Sequence, residues 1–246
     1  MSQKLCSLIS LIVLIVLSIH QQAQAGPPLI CHPFDIGNAR SLPWSGSQWR
    51  EVKRDYPLNR LVEDTLALLT QDTPVIVRME TLRRAAMYSS WAVYDKEVGY
   101  LTPDLKVAQA LMARLQQRVE ATQRKDALAL FDAGYFIETL KDAGYFGAMK
   151  KQATGHADHD QVTNVTNVNG YELVKQASGQ SSAMTKQKAA MEFAAALIRY
   201  DDQAIQRAHL QKAVAGADAD ALLSRNLVLH FSDRGRDLAA LRASLR

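Results

Sequence analysis

Residues 131–147 read FDAGYFIETLKDAGYFG, with the pentapeptide DAGYF at 132–136 and again at 142–146. A helix turns about 100° per residue, so two copies ten positions apart point roughly 80° away from each other and share no face. Helical repeat units also run longer, from about 20 to 50 residues. The duplication therefore reads as coincidence, and the two copies need separate explanations. Between Ala127 and Ile137 the only ionisable side chains are Asp132 and Tyr135, which predicts a helix enclosed on nearly every side. Gly134 then lets a neighbouring helix come close, at about 1 kcal/mol in helix propensity. Gly144, beside Gly147 and a polar stretch, reads instead as a helix-ending residue in left-handed geometry.

Upstream, helical spacing begins near residue 58. Asn59 is placed to cap a helix running through Gln71, with Leu61, Thr65, Leu68 and Leu69 on one face. Thr73-Pro74 and Thr102-Pro103 open the next two helices. The first carries Met79, Leu82, Ala86 and Tyr88 toward Tyr94. The second carries a stripe of Leu105, Ala108, Leu111 or Met112, Leu115 and Val119, with Lys106, Arg114 and Arg118 mostly off it.

Downstream, residues 147–170 combine glycine, asparagine and the echo VTNVTN, which is loop chemistry. Helices resume near Tyr171. Thr185 to Tyr200 is a second enclosed helix, through Ala190, Phe193, Ala194, Leu197 and Ile198. Two more follow, at about Gln203 to Val214 and Asp220 to Phe231, before a charged amphipathic tail at 233–246. No convincing strand is present. The predicted fold is all-α, an irregular array of antiparallel helix pairs in two halves, 58–146 and 171–246, joined by the loop.

Residues 1–25 read as a cleaved signal peptide: Lys4 is the only charge, 5–19 is almost wholly apolar, and Ala23-Gln24-Ala25 precedes Gly26, placing cleavage between Ala25 and Gly26. The apolar run falls short of the about 20 residues a membrane span needs. The expectation is an exported protein, periplasmic or extracellular, with no stable span after cleavage. Of 29 basic residues in the whole chain, 28 then remain against 25 acidic, spread without a cluster, so nucleic acid is not an expected partner. Cys31 is left as the one cysteine of the exported chain. It is a candidate free thiol, open to an intermolecular bridge, a mixed disulfide or, as the first choice, burial as a small hydrophobe.

Residues 26–57 hold Pro27, Pro28, Pro33 and Pro43 beside Leu29, Ile30, Phe34, Ile36, Leu42 and Trp44. Proline favours extended backbone before it, and the apolar residues need cover. An extended strap across the helical body follows.

The segments LALFDAGYFIETLKDAG and AAMEFAAALIRYDD resemble helix pairs of the tetratricopeptide-type repeats, with small residues and aromatics at the crossings. The resemblance covers about 74–146 and 182–230 and implies a superhelical surface that binds a protein or peptide. PPLICHPFDIGNARSLPW looks like the leader region of exported bacterial proteins.

Reactive constellations are sparse. His156 and His159, with Asp158 between them, give a His-x-x-His cluster as a metal candidate, although a catalytic zinc needs at least three protein ligands. Cys31-His32 suggests a thiolate and imidazolium pair, but adjacent residues of an extended segment point opposite ways. Asp201-Asp202 reads as a helix end followed by the next helix's cap. Nucleophile-elbow, phosphate-loop and dinucleotide-binding motifs are missing from the sequence, so no cofactor is expected. The leading expectation is a non-enzymatic interaction or scaffold protein. The alternative is a metal-assisted hydrolase built on His156 and His159.

Overall fold

The structure, a computed structural model, describes residues 28–47, 49, 51–91, 105–143, 168–181 and 185–246. Ten α-helices carry the described chain: α1 (Pro28–Cys31), α2 (Leu61–Leu68), α3 (Val75–Trp91), α4 (Leu105–Ala121), α5 (Ala127–Asp142), α6 (Gly170–Gln180), α7 (Thr185–Ile198), α8 (Gln203–Ala215), α9 (Ala221–His230) and α10 (Leu238–Ser244). The all-α class expected from periodicity is the observed class, and the one β feature among the described residues is an isolated bridge between Trp44 and Val52. Among these residues no helix is long and apolar enough to cross a membrane.

Helix α5 lies at the centre. Residues 128–137, Thr139 and Leu140 are all buried, as its near absence of charge requires. Asp126 caps its start by accepting from Leu128 N and Ala129 N. Helices α3, α4 and α6 pack around it, and one continuous apolar core runs from Leu29 in α1 to Leu245 at the end of the chain.

The most extensive contact joins α5 to α6, and glycines make it possible. A methyl group at Gly134 would come within 2.5 Å of the Gly170 carbonyl oxygen and 2.7 Å of Leu173 Cβ. One at Gly170 would collide in turn with the Gly134 carbonyl. Each glycine thus presents a hydrogen where any other residue would force the backbones apart. Reciprocal Cα–H···O contacts of this kind add about 0.5–1 kcal/mol each. The packing role read for Gly134 is present, while Gly144 lies outside the described residues.

Asp132, the one carboxylate inside the enclosed stretch of α5, meets Arg78 of α3 at 2.7 Å, both side chains fully buried. Burial raises the Asp132 pKa to about 6, against the pull of Arg78 and Arg118. Arg78 also donates to the carbonyls of Thr70 and Thr73, which explains a departure from expectation. The helix foreseen from Asn59 to Gln71 is a 3-10 turn at Leu58–Arg60 followed by α2, with no side-chain cap at its start. It stops at Leu68 because residues 69–74 are drawn into a turn by Arg78 and by Thr73 Oγ1, which donates to Leu68 O at 2.7 Å. Thr73 therefore serves the preceding helix, and Pro74 supplies the first carbonyl acceptor of α3, to Arg78 N.

The N-terminal strap is keyed to a polar face of α3. Glu80, fully buried, accepts Arg83 Nε and Nη2, Arg84 Nε at 2.6 Å and the strap's Phe34 N at 3.1 Å. Burial alone would raise its pKa, but the two guanidinium groups bring it below the ordinary value. The same arginines reach strap carbonyls: Arg83 those of Ile30 and Trp49, Arg84 that of Leu42. Tyr88 donates to Pro43 O at 2.6 Å and accepts from Lys53 N. The strap's other side is tied to α9, where Asn226 exchanges two hydrogen bonds with the Asp35 backbone and Arg225 pairs with the Asp35 carboxylate. One part of the strap is not extended: Pro28–Cys31 is a helical turn that buries Leu29 and Ile30, consistent with proline's fit to a first helical turn.

Beneath the strap sits His230, stacked on Phe34 at 4.7 Å and edge-on to Phe193 at 5.6 Å, with neither ring nitrogen hydrogen-bonded. Burial, then the charges of His32 and Arg83, lowers its pKa to about 3. Between that value and about 6.5 the unfolded chain takes up a proton that the folded chain refuses, so this residue subtracts stability as pH falls through the window.

Two outcomes follow. Gly134→Ala should cost about 1–3 kcal/mol in urea unfolding through overpacking, whereas Gly179→Ala, with nothing within 4 Å of its added carbon, should gain up to about 1 kcal/mol. Equal effects would contradict the close approach. His230→Phe should flatten the loss of stability between pH 6.5 and 3 relative to the unchanged protein, and parallel stability curves would contradict the caged neutral imidazole.

Candidate functional site

The residues singled out from sequence divide sharply. His156, Asp158 and His159, together with the cleavage positions Ala25 and Gly26, lie outside the described residues. Cys31 closes α1 and is half-buried rather than enclosed, because only Leu29 and Ile30 of that single turn face the core. His32 meets the edge of His230 at 5.9 Å. Among the described residues no group of three or more His, Cys, Asp or Glu side chains could hold a metal ion.

A cleft of about 520 Å³ opens where the end of α5, the start of α6 and the end of α7 converge. Its position follows from the glycine contact. One turn beyond Gly134, Glu138 Oε1 accepts from Tyr171 N at 3.2 Å and from Lys141 Nζ at 2.6 Å, so a side chain of α5 satisfies a donor at the start of α6. Asn169 adds the N-cap, accepting from Glu172 N. Another turn along, Asp142 Oδ2 accepts from Leu29 N of α1 at 3.3 Å.

The third wall is the turn after α7. Asp202 caps α8 by accepting from Ile205 N, as the sequence indicated. Its neighbour Asp201 does something else: it lines the cleft and pairs with Arg199 at 3.4 Å. Arg199 also lies 5.0 Å over the Tyr171 ring, a cation–π arrangement. Tyr200 stands at the mouth, 48 % exposed. Its pKa is raised, by burial first and then by the charges of Asp142 and Asp201.

Asp142 is the unusual member. Burial raises its pKa to about 6, the Leu29 amide pulls it down, and the charges of Glu138 and Asp201 push it further up. Lys141 is committed to Glu138 and Arg199 to Asp201 and Asp202. Among the described residues no cation pairs with Asp142.

Behind the cleft wall runs a polar chain through the helices. Tyr171 Oη and His209 Nε2 are 2.8 Å apart, His209 Nδ1 and Glu192 Oε2 2.5 Å, and Ser178 Oγ donates to Glu192 Oε1 at 2.5 Å. Burial would raise the Glu192 pKa, but the hydrogen bonds from His209 and Ser178 bring it below its ordinary value. The carboxylate, imidazole and hydroxyl stand in the order of an acid–base triad, yet the terminal hydroxyl is a phenol whose pKa is raised by burial. The hydrogen bond between the protonated phenol and His209 locks α6, α7 and α8 together and fixes the Tyr171 ring as a wall of the cleft.

Sequence reasoning missed this site. Its residues come from three separate segments, 138–142, 168–171 and 198–201, and share no motif. The one local signal was the pair Asp201-Asp202, of which capping accounts for only the second.

No family model matches the chain, and neither a curated protein nor a solved structure matches it.

The Asp142 carboxyl should titrate near pH 6 by carbon-detected NMR. Since the folded state holds this proton above the ordinary 3.8, ionising it removes stability as pH rises through that window. A midpoint near 4 would contradict the unpaired environment.

Proposed function

We propose that this chain is an exported, non-enzymatic all-α interaction protein that binds a protein or peptide partner in the cleft between α5, α6 and α7. Export rests on the leader-like residues 1–25, and a tetratricopeptide-like reading of the helix pairs fits the many packed helices. The observation that carries the binding reading is the cleft itself: about 520 Å³, walled by two tyrosines and lined by charges of both signs. Its tyrosines offer rigid contact area at low entropic cost, and its charged side chains orient a bound segment.

The strap supports the same reading from within the molecule. The described residues of 32–57 follow the helical body with little regular structure of their own, held by arginine and tyrosine bonds to the carbonyls of Leu42, Pro43 and Trp49. This body is thus already built to grip irregular chain through its backbone. The α3 face is occupied by the strap, and the cleft among the described residues offers a second surface for a partner.

Selection from a random peptide display library against the purified chain should yield ligands whose affinity falls at least tenfold, about 1.4 kcal/mol, with Tyr200→Ala or Arg199→Glu. Leu229→Ala, which alters an exposed side chain on α9, should leave it unchanged. Ligands indifferent to both cleft variants, or none at all, would contradict the proposal.

A further inference from the structure

We infer that the cleft recognises a cationic group, the ammonium or guanidinium of a lysine or arginine side chain on the bound segment, with Asp142 as its counter-ion and Tyr200 as the ring beside it. This deepens the peptide-binding reading and rests on it.

Among the described residues the cleft holds three carboxylates, Glu138, Asp142 and Asp201, against two cations, Lys141 and Arg199. Each cation is already within ion-pair distance of another carboxylate, Lys141 of Glu138 at 2.6 Å and Arg199 of Asp201 at 3.4 Å. The carboxylate left over is Asp142, whose one hydrogen bond among the described residues is a 3.3 Å contact from the Leu29 amide. A half-buried carboxylate near two others of the same sign is a costly arrangement, and a cation from outside relieves it.

Geometry narrows the occupant further. The cavity has room for a side chain, and its aromatic walls suit the stem of a lysine or the plane of a guanidinium. Tyr171 already carries Arg199 on its face at 5.0 Å, which leaves the Tyr200 ring at the mouth for a second cation. An anionic ligand is disfavoured: both cations would have to abandon their partners, and it would face Asp142 at close range.

The test is an NMR titration of the full chain with the blocked tripeptides acetyl-Gly-Lys-Gly-amide, acetyl-Gly-Gln-Gly-amide and acetyl-Gly-Glu-Gly-amide, and with cadaverine, an amine without a peptide backbone. The expected result is that the lysine peptide shifts the Asp142, Tyr171 and Tyr200 signals. It should bind at least tenfold more tightly than the glutamine or glutamate peptide, and D142N should reduce its binding at least tenfold. Tyr200→Leu, at a half-exposed position that does not endanger the fold, should weaken it several-fold and serves as a second variant. Equal binding of all three peptides, or binding indifferent to both variants, overturns the cation inference while leaving peptide binding in place. Cadaverine binding as tightly as the lysine peptide upholds the cation site and overturns the peptide reading. No shift at the cleft with any probe overturns both.

Discussion

The structure depends on one place where two backbones touch. At Gly134 and Gly170 each helix presents a hydrogen to the other's carbonyl, and no side chain fits between them. Because α5 is the buried centre of the molecule, the depth to which α6 sinks against it sets the placement of everything beyond. The same approach puts Glu138, one turn from Gly134, within 3.2 Å of the Tyr171 amide at the start of α6. Packing and electrostatics are therefore set by one contact, and the cleft opens at its end.

A second constraint acts on the opposite face. Glu80 is a carboxylate with no exposure to water, and it is stable there because two guanidinium groups and a strap amide fill its lone pairs. Pairs of this kind repay their desolvation only when every polar group is satisfied. The strap is thus more than an apolar cover: it completes the hydrogen bonding of α3, and α3 in turn supplies partners to strap carbonyls that would otherwise be buried unpaired. With Asp35 held by Arg225 and Asn226, the strap bridges the α3 and α9 sides of the helical body.

The helical class and the enclosure of α5 and α7 were legible in the sequence, since both reduce to periodicity and missing charge. Asp202 could be read as a cap and Asp220 as a boundary from local sequence, whereas Asp237, the cap of α10, lay inside a tail read as one piece from 233 to 246. The end of α2 was not legible, because it is imposed by Arg78 reaching back to carbonyls of residues 70 and 73. Nor was the helical turn at Pro28–Cys31, where burial of Leu29 and Ile30 outweighs the extended preference of a proline-rich stretch. The cleft was beyond local reasoning altogether: Asp142 and Tyr200 are ordinary residues until α5 and α7 end side by side. Gly134 marked a close approach without naming the partner, which proved to be another glycine.

The cleft lies where it does because α6 is pressed against α5 at that glycine pair. The most direct test is a nuclear Overhauser spectrum of the chain with selectively labelled glycine. A cross-peak between the α-protons of Gly134 and Gly170 is the predicted result. Its absence, with both resonances assigned and sharp, would mean that the helices meet through side chains elsewhere, and the cleft described here would have no structural basis.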